Sequence, residues 1–261
     1  MTFEQVVADK LAALEPVLKS AKKGATATAA CYKMLNDGDI RNVDKRLAEA
    51  EDELRKATEG ISAFRSRWQD TGLSEYFGSD EYLVELTRCL EDVQVDYHRL
   101  DDVLYVYPAL VRLDSDSRAA RIDKKTESRL RPKTLAGLLQ RIQNRPSEFP
   151  AGRFLGSLFR VYKALAAANL KRSEQWTGKS LFLRDIYDVL SAAPGSDYSE
   201  QEFARDLYLL DASGAALEVR KHVATLQASS GTRDERRTLS IITRDGQSKL
   251  YCTIRFDPIT R

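Results

Sequence analysis

The chain has 261 residues, of which 43% are hydrophobic and 31% charged, and its formal net charge is +2. That length suffices for a substantial core in one to three domains, and the composition is globular, not disordered. No apolar run approaches the roughly 20 residues that span a bilayer, and Met1-Thr2-Phe3-Glu4-Gln5 lacks the apolar block of a secretory signal, so a cytoplasmic protein is expected. Cys31, Cys89 and Cys252 are odd in number and far apart, which suits buried thiols in a reducing compartment better than a disulfide framework. With so small a net charge, any nucleic-acid binding must come from local clusters.

The N-terminal third reads as helix. Phe3, Val7, Leu11, Leu14 and Leu18 recur in steps of four and three, with Pro16 arguing for a kink or break and Lys22-Lys23-Gly24 resembling a helix end. A longer seam follows: Val43, Leu47, Ala50, Leu54, Ala57, Ile61, Phe64 and Trp68 alternate in steps of four and three over nearly four heptads. Glu51 with Arg55, and Asp52 with Lys56, add i,i+4 pairs on the solvated face. The seam predicts a helical hairpin or coiled-coil arm. It serves either to pack on the chain's own first helix or to bind a partner, the latter through Leu47, Leu54, Ile61, Phe64 and Trp68.

After Gly72 and Gly78, Tyr82, Leu83, Leu86, Leu90 and Val93 fit one helix face. The runs 103–107 and 109–113 flank Pro108 and read as a strand interrupted or bulged there. Asp114-Ser115-Asp116-Ser117 is turn chemistry, residues 118–123 offer a short return strand, and Arg131-Pro132 opens a helix.

The C-terminal part predicts helices through Phe154–Leu165, Leu181–Leu190 and Phe203–Leu210, the last opened by a Ser199/Glu202 capping box. Residues 238–243, Asp245-Gly246 and 250–256 form a strand–turn–strand signal, and 216–227 offer another strand. Three helices followed by a β-hairpin across roughly residues 152–256 resemble the winged-helix superfamily. The resemblance rests on element order and turn placement. It implies a last helix that enters the major groove and a wing that touches backbone. Here that helix would present Glu200, Glu202, Arg205 and Asp206, a face too acidic for groove reading. The wing is more basic, with Arg220, Lys221, Arg233, Arg236, Arg237, Arg244 and Lys249.

A second basic cluster gathers Arg118, Arg121, Lys124, Lys125, Arg129, Arg131 and Lys133 within sixteen residues, opposed by Asp123 and Glu127. Such density can hold several phosphates, although a charge run is also what a solvated surface looks like. Asp123-Lys124-Lys125 matches half of a metal-dependent nuclease site, with Asp114 upstream to share a Mg²⁺ and Lys125 beside the attacking water. Thr177-Gly178-Lys179-Ser180 matches the end of a phosphate-binding loop, but Ser173 stands where the first glycine belongs. His98 and His222 lie near no cysteine, so neither a metal nor a cofactor is expected.

The expected architecture is α+β: a helical arm over 1–75, a mixed α/β segment over 79–145 and a winged-helix-like module over 152–261. The expected role is a non-catalytic adaptor of a DNA-associated complex that binds nucleic-acid backbone with little base readout and partners, or itself, through the arm. The alternatives are a Mg²⁺-dependent nuclease built on Asp114, Asp123 and Lys125, and a purely protein-binding scaffold.

Overall fold

The computed structural model describes residues 2–68, 73–146, 149–168, 176–192, 197–214, 217–227 and 238–259. The protein is mixed α+β, with a long N-terminal helical region followed by antiparallel sheets. It divides into two compact units. The first holds residues 1–89, 114–118 and 129–135; the second holds 90–113, 119–128 and 136–261.

The first unit is built on a hairpin of α1 (Phe3–Asn36) and α2 (Val43–Trp68). Thr2 caps α1 reciprocally: its hydroxyl accepts from the Gln5 amide at 3.2 Å, and the Gln5 side chain accepts from the Thr2 amide at 3.0 Å. The break expected at Pro16 and the end expected at Lys22-Lys23-Gly24 are both absent, because α1 runs through them to Asn36. Gly24 serves packing, not termination. A Cβ there would lie 2.8 Å from Leu54 Cγ and 3.3 Å from the Leu54 amide nitrogen, so its absence lets the helices close. Gly60 does the same against Val17. These pairs run in opposite senses, so the helices are antiparallel, and the apposed residues are small: Gly24, Ala27, Ala50 and Ala57 are buried. Packing against α2 offsets the backbone hydrogen bond that Pro16 forfeits.

The seam expected along α2 is divided between its two readings. Val43, Ala50 and Ala57 are buried, whereas Leu47, Leu54, Ile61 and Trp68 remain 43–55% exposed. Beside the hairpin lie α3 (Leu73–Phe77) and α4 (Asp80–Asp92). Phe3 meets the Tyr82 ring edge-on at 5.5 Å, and Glu85 accepts from the Phe3 amide and the Tyr76 hydroxyl at 2.7 and 3.0 Å.

The second unit begins with a five-stranded meander: β1 (His98–Leu100), β2 (Val103–Val106), β3 (Ala109–Asp114), β4 (Ala119–Ile122) and β5 (Lys125–Glu127). The run around Pro108 is two strands, not one bulged strand. Val106 pairs with Ala109, leaving Tyr107 and a cis Pro108 as the turn. The helices are α5 (Pro132–Gln143), α6 (Ala151–Ala168), α7 (Leu183–Ser191) and α8 (Glu200–Ala212), α8 carrying the expected Ser199/Glu202 capping box. The short strand β6 (Leu181–Phe182) precedes α7. After α8 come β7 (Glu218–Val219), β8 (His222–Gln227), β9 (Leu239–Ile242), β10 (Ser248–Tyr251) and β11 (Thr253–Pro258). The hairpin expected around Asp245-Gly246 is β9–β10. The strand expected over 250–256 instead divides at Cys252: β10 stays with β9, while β11 joins a sheet of order β6-β11-β8-β7.

One core fills this unit. Val103, Tyr105, Tyr107 and Leu110 of the meander meet Leu158, Phe159 and Tyr162 of α6, Phe203 and Leu207 of α8, and Ile254 and Phe256 of β11. Strands from 79–145 and helices from 152–261 therefore bury a common set of side chains. Among the described residues, no helix is long and apolar enough to cross a membrane.

Two glycines separate packing from propensity. Gly24→Val is expected to destabilise by about 1–3 kcal/mol through overpacking against Leu54. Gly137→Ala, where nothing lies within 4 Å of a new Cβ, is expected to stabilise by about 0.8–1 kcal/mol. Equilibrium urea unfolding followed by circular dichroism reads both, and equal shifts of one sign would contradict the packing role of Gly24.

Candidate nucleic-acid interface and partner face

The basic cluster falls on turns and on a helix start. Arg118 ends the Asp114–Ser117 turn in a left-handed conformation (φ 51°) and is exposed. Asp114 closes that turn, accepting from the Asp116 and Ser117 amides at 3.0 and 3.2 Å and from the Ser117 hydroxyl at 2.6 Å. The Ser117 bonds hold its carboxyl below the usual aspartate range. Arg129, Arg131 and Lys133 are exposed, and Arg131 pairs with Glu4 at 2.6 Å. All of these belong to the first unit.

Arg121, Lys124 and Lys125 belong to the second unit, around the β4–β5 turn. Arg121 is half-buried, donates to the Asp123 carbonyl at 3.1 Å and pairs with Asp197. Asp123 sits at φ 52° with its carboxylate turned inward, accepting from the Leu110 amide at 3.0 Å and from Arg205. Lys124 and Lys125 are exposed at the turn, Lys124 lying 5.1 Å over the Tyr198 ring. Among the described residues, neither lysine has a carboxylate partner.

This arrangement follows from α8. Glu202, Arg205 and Asp206, expected on an exposed face, are instead covered: Glu202 is fully buried, and the Arg205 and Asp206 side chains are 12% and 15% exposed. Arg205 pairs with Asp123 and with Asp206, and Tyr198 donates to Asp206 at 2.6 Å. Arg112 of β3 adds bonds to the Ser199 hydroxyl at 3.0 Å and to Gln201 at 2.9 Å. Burial opposes the charge on Arg205, but Asp206 and Asp123 hold its pKa above the ordinary value. Burial pushes Asp206 up against the pull of Arg205, and burial together with Asp206 pushes the Tyr198 hydroxyl up. The face of α8 that a groove reader would present is thus occupied by the meander.

Of the wing residues, Arg244 is exposed just after β9, its amide donating to the Tyr208 hydroxyl at 3.1 Å. Arg233, Arg236 and Arg237 lie outside the described residues. Arg244 lines a cleft of about 470 Å³ with Arg145, Tyr107, Phe149 and Tyr208. The sequence marks Arg145-Pro146 and Tyr107-Pro108 as element boundaries, and no spacing rule links positions a hundred residues apart.

Both carboxylates of the nuclease reading are engaged, Asp114 by its own turn and Asp123 by Arg205. Among the described residues, no group of three or more His, Cys, Asp and Glu side chains is placed to hold a metal ion. Thr177-Gly178-Lys179-Ser180 forms a structural turn. The Gly178 amide (φ 77°) donates to the Phe256 carbonyl at 2.8 Å, and the Tyr162 hydroxyl donates to the Lys179 carbonyl at 2.6 Å.

On the arm, Leu47, Leu54, Ile61 and Trp68 lie on the exposed side of α2, and Phe64 is half-buried and stacked on Trp68 at 5.9 Å. No protein-family model, curated protein or solved structure matches the chain.

The Arg205 cluster yields a stability test. Arg205→Met leaves Asp206 buried beside Asp123 with no cation and is expected to cost about 3–5 kcal/mol. Lys124→Ala and Lys125→Ala are expected to stay within about 0.5 kcal/mol of wild type. Shifts in the urea midpoint check both, and an Arg205→Met protein as stable as wild type would refute the pairing.

Proposed function

We propose that this protein is a non-catalytic adaptor of a DNA-associated complex, contacting nucleic-acid backbone through basic turns and partners through the helical arm. The observation that carries the reading is the β4–β5 turn. Its one acid, Asp123, is committed inward to Arg205, so Lys124 and Lys125 stand exposed, with no carboxylate partner among the described residues, and Arg121 lies next to them. A turn of this kind binds phosphate by charge and carries no base readout.

Winged-helix character for the C-terminal part is supported by the order α6, β6, α7, α8, β8, β11 and by the strand order β6-β11-β8. In that frame the connection from β8 to β11 is the wing, and it includes β9, β10 and Arg244. Because the meander covers α8, the contact we propose uses turns and wing, not a helix laid in the major groove.

The test is binding to a labelled duplex of about 30 base pairs across a salt series, for wild type and for an Arg118/Arg121/Lys124/Lys125 alanine variant. Wild type is expected to show a steep fall of log K with log[salt]. The variant is expected to show a slope shallower by about 0.9 for each phosphate it no longer neutralises. Absence of binding at low salt would remove nucleic acid from the proposal.

A further inference from the structure

The exposed side of the hairpin is a second, outward-facing heptad seam. On α1, Leu11, Leu18 and Leu35 are each 56% exposed and Tyr32 is 77% exposed; on α2 the corresponding positions are Leu47, Leu54, Ile61 and Trp68. The two rows share a groove in which Leu11, Leu14, Leu18 and Ile61 meet and whose one charged lining residue is Glu15. Resting on the reading of the arm as the partner-binding part, we propose that the occupant of this face is a second copy of the chain. The two hairpins form a four-helix bundle about a twofold axis parallel to the helices, α1 of each copy lying on α2 of the other.

Register is the first argument. Within one hairpin, Gly24 abuts Leu54 and Val17 abuts Gly60, so apposed positions sum to 77 or 78. A twofold axis along the helices keeps that alignment between copies. The exposed rows follow it to within two residues: Leu11 meets Trp68, Leu18 meets Ile61, Ala25 meets Leu54 and Tyr32 meets Leu47, each pair summing to 79. Leu11, Leu18 and Tyr32 of one row therefore each find an apolar residue of the other, and a twofold interface makes each contact twice.

Axis direction is the second argument. The alternative twofold axis, perpendicular to the helices, would set α1 on α1 in reverse and bring Lys22 near its own symmetry mate. Size is the third argument: the eight exposed side chains present on the order of 800 Å² per copy, which is what a stable interface buries from each partner.

The test uses the full chain. Sedimentation at micromolar concentration is expected to give twice the 29.4 kDa of one chain. Leu18→Glu with Ile61→Glu should give one chain mass with the helical circular dichroism unchanged, because both side chains are exposed. In a Cys252→Ser background, Leu18→Cys and Ile61→Cys proteins mixed under mild oxidation should yield a covalent dimer that neither yields alone. A wild type that stays monomeric at 100 µM, a dimer that survives the double glutamate variant, or cross-linking by the Leu18→Cys or the Ile61→Cys protein alone would overturn the proposal. The duplex titration is independent of it. Loss of duplex binding with an intact dimer removes the adaptor reading alone, and a monomer that binds duplex removes the second copy alone.

Discussion

The second unit turns on Arg205. A guanidinium with little exposure must have its charge met, and here Asp123 from the β4–β5 turn and Asp206 from its own helix meet it. The pairing settles which face of α8 is covered, since the helix can present Arg205 to Asp123 only by laying that face on the meander. It also settles the character of the turn. Asp123 is drawn inward, and the lysines that follow it in sequence are left at the surface. One buried ion pair thus links the packing of a helix, the closure of a sheet and the charge of the proposed phosphate contact. Its net worth to stability is modest against an apolar substitute; its effect is on orientation, because any other seating of α8 strands a charge.

The first unit depends on a different constraint, the closeness of two helices. Gly24 and Gly60 remove the side-chain atoms that would hold α1 and α2 apart, and Ala27, Ala50 and Ala57 keep the contact narrow. A narrow seam of small residues leaves the leucines on the flank. Leu11, Leu18, Leu47 and Ile61 therefore stay half exposed on that flank, which is the opposite of what a leucine-rich heptad suggests when read along one strand of sequence. That flank is the face the proposed dimer uses.

Local chemistry was readable where a single residue type acts on its neighbours. The Ser199/Glu202 capping box, the Asp245-Gly246 hairpin and the Arg131-Pro132 helix start each depend on interactions within three or four residues, and each is in place. The errors share a cause. Gly24 looked like a terminator because glycine ends helices more often than it lets two of them approach. Pro108 looked like a bulge because a two-residue turn leaves little polar sequence to announce it. The strand over 250–256 looked continuous because nothing local records that Cys252 is where the chain passes from one sheet to another.

The candidate site shows the same division. The density of lysine and arginine over 118–133 was plain from composition, as was the α2 seam from its period. Which acid neutralises which base was not, because Asp123 and Arg205 are 82 residues apart in the chain. Sequence by itself determined the helical character of the arm, the capped start of α8, the strong hairpin, the α+β class and the location of the charge clusters, since these follow from propensity, capping and periodicity over a few residues. Only the tertiary structure decided that α8 is covered, that Lys124 and Lys125 have no carboxylate partner among the described residues and that half of the α2 seam faces outward. Those outcomes depend on which surfaces meet, and the free energy that selects them comes from burial and pairing between residues that the chain order does not place together.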